Sequence, residues 1–199
     1  MALSKHALTT VDAVKAELSL GGDSKLDALI ARLINSASDA IRSHCGRDFA
    51  RQTIREDFVI QDDRDTILLS LNPVVSVDAV YRGLGEDDPI EGYELDPKAG
   101  LLKLWHGNWP KNELVHVHYT GGYVTPHQAE QDSSVERDLP YDIEEACIIT
   151  AATRFQYLGQ PADIQIMQVE QIRVHFAEGG RKGLPEAALE LLEPYARWT

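Results

Sequence analysis

Basic residues are scarce in this chain: 19 Lys and Arg against 32 Asp and Glu leave a formal charge of −13. Duplex DNA carries one negative charge about every 1.7 Å, so a surface of this sign repels nucleic acid and argues against sequence-specific DNA binding. Two readings of the charge remain. It serves solubility, or it lines a face bordering a space through which nucleic acid passes without adhering. Cysteine is equally sparse. Cys45 and Cys147 lie far apart, each inside a helical pattern, which favours buried free thiols over a disulfide. No apolar run reaches the roughly 20 residues of a membrane-spanning helix, and Met1 to His6 contain no secretory apolar stretch. A protein that begins soluble in a cytoplasm is expected. The chain also lacks an internal repeat, a low-complexity segment and a catalytic motif.

What is present is an ordinary globular composition, 43% hydrophobic over 199 residues, enough for one core or a core with an appended subdomain. Thr9 or Thr10 is placed to cap a first helix with Asp12 in its first turn. Val11, Val14 and Leu18 share its face, and Gly21-Gly22 is the expected stop. Ser24 and Asp27 open a second helix, in which Leu26, Leu29, Ile30, Leu33, Ile34, Ala37 and Ile41 follow three-four spacing until Cys45-Gly46-Arg47.

From Ile54 the period falls to two. Short strands are expected at Ile54 to Ile60, Ile67 to Leu71, Val74 to Tyr81 after the break at Pro73, Tyr93 to Leu95, Leu101 to Trp105 and Leu114 to Tyr119. Within Val74 to Tyr81, the residues Val75, Val77, Ala79 and Tyr81 share one face. Gly121-Gly122 ends this block where the chain changes grammar. Residues 125–138 read as a polar, acidic linker. Pro140 suits the first turn of a third helix, with Ile143, Ala146, Cys147, Thr150, Ala151 and Phe155 on one face and Ile148, Ile149 and Ala152 making it apolar most of the way round. Ile164 to Phe176 is either a bulged strand or an extended arm. A last helix opens near Pro185 and carries Leu189, Leu192 and Tyr195. The fold class expected is α+β: 1–50 and 139–199 form one helical core, with an antiparallel β subdomain at 51–124 inserted between the second and third main helices and the linker at 125–138.

His116 and His118 project from one face of a strand and could begin a zinc site with His106 or an Asp; the plain alternative is an exposed strand face opposite buried Val115, Val117 and Tyr119. His44 beside Cys45 points about 100° away on a helix, which disfavours a nucleophile–base pair. Glu144 and Glu145 are explained by helix-dipole placement rather than paired acid catalysis. Gly83-Leu84-Gly85-Glu86 lacks the lysine of a phosphate loop and reads as a turn. Trp105, Trp109, Tyr195 and Trp198 are candidate interface anchors, with packing back on the helices as the alternative for Trp198. Arg154, inside an apolar helix, calls for an acidic partner within the chain or across subunits.

The order of these pieces resembles the head–tail connector, or adaptor, proteins of tailed bacteriophages, prophages and gene transfer agents. The resemblance is carried by Leu8 to Lys15, the helix ending Ile41 to Phe49, the strand–Pro–strand segment Leu68 to Val77, Tyr93 to Leu102, Tyr119 to Tyr123, and Leu139-Pro140 opening the third helix with Arg154 farther along. It implies a non-enzymatic virion protein of the neck, assembled in the host bacterial cytoplasm, with no catalytic residue, no metal and no cofactor. The implied partners are the portal protein, neighbouring copies in a dodecameric ring, and a tail or stopper/tail-terminator protein, with DNA passing through the channel unbound. Leu192, Tyr195, Arg197 and Trp198 are the expected portal or tail docking residues; Arg154, Phe155 and Tyr157 are the expected subunit contacts. Rival readings are another neck or tail-completion protein, a small metal-dependent hydrolase using His116 and His118, or a binding module for a basic protein.

Overall fold

The computed structural model describes residues 2–22, 24–158, 166–169, 172–175 and 183–196. The chain divides into two compact units, Met1–Arg47 together with Thr125–Thr199, and Asp48–Val124. Helices plus antiparallel strands make it α+β, as the sequence predicts.

In the helical unit, α1 (Val11–Glu17) starts where Thr10 accepts a hydrogen bond from the Ala13 amide at 3.3 Å. It stops before the glycines expected to end it. Ser19 takes a left-handed φ of 53°, while its amide donates to Ala16 at 3.0 Å and that of Leu20 to Lys15 at 2.9 Å. These two bonds close the helix through a serine instead of a glycine. α2 (Asp27–Cys45) is entered through a 3-10 turn at Ser24–Leu26 and ends at Gly46, φ 66°. Its apolar stripe buries Ile30, Leu33, Ile34, Ala37, Ile41 and Cys45, whereas Leu26 and Leu29 are only half-buried.

α3 (Pro126–Gln131) occupies the segment expected to be a linker. Thr125 accepts from the Gln128 amide at 3.2 Å, and the Gln128 side chain accepts from the Thr125 amide at 3.1 Å. This reciprocal cap, with Pro126 in the first turn, nucleates a helix despite the polar composition. α4 (Tyr141–Gln156) begins after Pro140 and buries Ile143, Ala146, Cys147, Thr150, Ala151 and Ala152. It packs against α2, α1 and the last helix, α5 (Glu186–Leu192), which contributes buried Ala188 and Leu192 after buried Leu184. Between α4 and α5 lies a hairpin of two antiparallel strands, Ile166–Val169 and Ile172–His175, where the sequence left a bulged strand or an arm open.

The β unit holds six strands: β1 (Gln52–Val59), β2 (Thr66–Leu68), β3 (Val74–Arg82), β4 (Tyr93–Asp96), β5 (Leu101–Leu104) and β6 (Leu114–Gly121). The hairpin above is therefore β7 and β8. The strands form two antiparallel sheets, β1-β6-β3 and β2-β5-β4, around one core that includes Ile67, Leu71, Val80, Leu102, Trp109, Val115, Val117 and Tyr119. Two expectations fail here for one reason each. In β3, Val75 is 54% exposed while Val74 and Val80 are buried. Register slips between Val74 and Ser76 and between Val77 and Ala79 undo the alternation that put Val75, Val77, Ala79 and Tyr81 on one face. β6 is the central strand and is buried on both faces, so its histidine face is not the exposed one.

Tyr119 organises the core by its polar end. Its hydroxyl donates to Glu56 at 2.6 Å and accepts from the Leu71 amide at 3.0 Å, while the Ser70 amide donates to the same Glu56 oxygen at 2.9 Å. Burial first, then the Glu56 hydrogen bond, push the Tyr119 phenol up to about 12 from 10. Burial likewise pushes the Cys147 thiol up to about 12 from 9. Between the unfolded and folded values the unfolded state has already lost the proton that the folded state keeps, so stability falls as pH rises. The helical unit is therefore expected to weaken from about pH 9 and the β unit from about pH 10. Tyr119→Phe should cost roughly 1–3 kcal/mol at neutral pH by stranding the Leu71 amide, yet flatten the alkaline slope of the β unit. Circular dichroism melts across pH 7–11 read both effects, and an unchanged alkaline slope in the variant contradicts the assignment.

Candidate assembly surfaces

Around the start of α4 the polar groups are satisfied internally. Glu144 is buried and pairs with Arg137, which also donates to the Leu139 carbonyl at 3.0 Å; Thr9 donates to the other Glu144 oxygen at 3.3 Å. The Arg137 guanidinium lies 4.3 Å over the Tyr141 ring. Glu144 lies in the first turn of α4, as its helix-dipole placement requires, and is in addition a buried, paired acid, while Glu145 remains exposed. Cys45 and Cys147 are both buried free thiols, as expected, with Cys147 Sγ 3.5 Å from the Ser38 hydroxyl.

Among the described residues of its own chain Arg154 pairs with no acid. It donates to the Ser36 hydroxyl at 2.8 Å and to the Gly183 carbonyl at 3.1 Å, stitching α2 and α4 to the segment that leads into α5. Burial lowers its pKa. Among the described residues of the helical unit, exposed large apolar side chains sit at the two ends of α4 and at Val135. Tyr141 is 76% exposed, Tyr157 44% and Leu158 47%, with Phe155 half-buried beside them. Tyr141 and Leu158 were missed from sequence; their only signal is an apolar residue just outside the periodic face of the helix.

The C-terminal candidates divide. Leu192 is fully buried, because α5 turns it into the helical core, so it is not available on a docking surface. Tyr195 is half-buried and its hydroxyl reaches Asp142 at 3.4 Å. Arg197 and Trp198 lie outside the described residues.

In the β unit Trp109 is a core residue, not an interface anchor: it is 1% exposed and its amide donates to the Arg64 carbonyl at 2.8 Å. Trp105, by contrast, is 65% exposed. His116 is fully buried because the loop after β3 folds over it, with Nδ1 3.1 Å from the Gly83 carbonyl. Its ring packs against Tyr81 at 5.2 Å and His118 at 5.5 Å between centroids, and His118 Nε2 is 3.9 Å from Glu86. Among the described residues no three His, Cys, Asp or Glu side chains converge as a metal-binding group. No helix among them is long and apolar enough to cross a membrane.

Residues 7–170 match the model of a family described as HCP, head completion protein. A chain from the neck of an empty gene transfer agent particle, computed with C6 symmetry, superposes with a TM-score of 0.65 at 18% identity, covering 100% of this chain and 94% of that one. A chain from the neck of a native particle computed with C12 symmetry gives 0.60 at 19% identity over 100% and 93%. At that identity these matches establish the fold. A curated relative, a vacuolar membrane protease of Sordaria macrospora, is 30% identical over 97 residues, 49% of this chain, and the match spans 9% of that protein's length. A match to so small a part carries no activity across.

Proposed function

We propose, from the premise that the chain belongs to the head completion protein family of head–tail connectors, that it forms a ring under the portal, joins the DNA-filled head to the tail and continues the DNA channel. The family match over most of the chain carries this reading, and the whole-length likeness in fold to chains of two particle necks supports it. A dodecamer is the stoichiometry put forward. The physical features agree with such a role. The apolar surface is dispersed in small strips, which keeps an unassembled copy soluble while leaving contacts for templated assembly. The −13 charge suits a lumen along which DNA slides.

Phe155, Tyr157 and the neighbouring Leu158 are the proposed contacts between adjacent copies, with Arg154 holding the helix end that displays them. The docking role toward portal or tail falls to Tyr195, Arg197 and Trp198. Tail-side partners are a stopper or tail-terminator protein. Tyr157→Glu places a charge on the exposed strip without touching the core, so the isolated chain should melt within about 0.5 kcal/mol of wild type. Ring formation on the portal should nevertheless be lost, as seen by electron microscopy. Normal rings from that variant remove this strip from the interface.

A further inference from the structure

The loop between β3 and β4 displays the most exposed large apolar side chain among the described residues, Leu84, at 83%. It does so from a fixed frame. The Arg82 amide donates to Asp88 at 2.9 Å, the Gly83 amide to Leu114 at 2.8 Å and the Ile90 amide to Val80 at 2.8 Å. The Gly83 carbonyl meets buried His116, and Pro89 bridges back to Tyr81. These bonds hold the base of the loop, so presenting Leu84 to a partner loses less entropy than it would from a free segment. Val59, 64% exposed, pairs with Leu114 on the β1 edge of the same sheet. Around it the charge is one-sided. Asp88 is matched by Arg82 at 3.4 Å, but exposed Asp87 and Glu91 have no ion pair among the described residues, and Glu86 faces only His118.

We infer that Leu84 is a preformed anchor for a second, different neck protein whose surface offers an apolar socket rimmed by Lys and Arg. An apolar centre within a charged rim is the usual anatomy of a specific interface. The acidic rim calls for a basic surface, which a partner richer in Lys and Arg offers more readily than this chain with its 19 Lys and Arg against 32 Asp and Glu. The inference rests on the neck reading above.

A photo-crosslinking benzophenone amino acid at position 84, in purified particles made by the source cell, tests it. Leu84 is exposed enough that the substitution leaves the core intact, and the same residue placed at Leu68, 49% exposed on β2, is the control. The expected product is a crosslink from position 84, and not from position 68, to a different particle protein, on a peptide carrying Lys or Arg. Asp87→Lys with Glu91→Lys should reduce its yield several-fold. A crosslink only to another copy of this chain, or none at all, overturns the inference. Absence of the wild-type chain from purified particles would instead remove the neck reading on which it stands.

Discussion

Gly121→Ala is expected to destabilise the β unit by about 3 kcal/mol or more. A Cβ on Gly121 would run into the Leu71 carbonyl and lie 3.2 Å from the Pro73 carbonyl. Neither obstacle is a flexible side chain, so backbone must move. The backbone in question is held on both sides: Gly121 pairs with Gln52 in β1 and with Val74 in β3, and the Leu71 amide is fixed by the Tyr119 hydroxyl at 3.0 Å. Gly122→Ala is strained for a second reason as well, since its φ of +85° is left-handed and its Cβ would sit 2.7 Å from the Ala50 carbonyl. Chemical denaturation of both variants, followed by Trp109 fluorescence in the β core, measures the cost. A loss below about 1 kcal/mol at either site would mean that the turn relaxes freely.

Arg137→Ala should cost the helical unit roughly 3 kcal/mol, the scale for breaking a buried ion pair from one side. It leaves the buried Glu144 carboxylate with the Thr9 hydroxyl at 3.3 Å and removes the cation from the Tyr141 ring. The penalty comes from stranding a charge rather than from the worth of the pair. A double replacement, Arg137→Met with Glu144→Leu, should therefore recover most of the loss. Thermal melts of the two variants decide it: equal destabilisation in both would show that side-chain packing, not the unpaired carboxylate, sets the cost.

Much of the helical unit was legible because its signals are local. The three-four spacing of Ile30, Leu33, Ile34, Ala37 and Ile41, the Thr10 cap and Pro140 before α4 each act within a turn or two of themselves. α3 had a local signal too, Thr125 and Pro126 followed by Gln128, but the polar composition of the segment outweighed it. What failed was non-local. Two register slips in β3 inverted a face that simple alternation had assigned, and β6 reads like a half-exposed strand until β1 and β3 flank it and a loop covers His116. Leu192 shows the limit for the candidate surfaces: an apolar residue near a chain end has the same spacing whether it faces the core or a partner. Arg154 shows another, since within the described chain its bonds go to a hydroxyl from α2 and a carbonyl from residue 183, neither of which its place in the sequence signals.

The neck reading makes a specific demand on this molecule. Its apolar side chains at the ends of α4, Tyr141, Tyr157 and Leu158, must find cover only when a template is present, and its acidic surface must tolerate passing DNA. Electron microscopy of the protein mixed with the portal ring of the same particle, against portal alone, tests that demand most directly. A ring-shaped layer added beneath the portal, continuous with its channel, is the predicted result. Unchanged portals at high protein excess would contradict it.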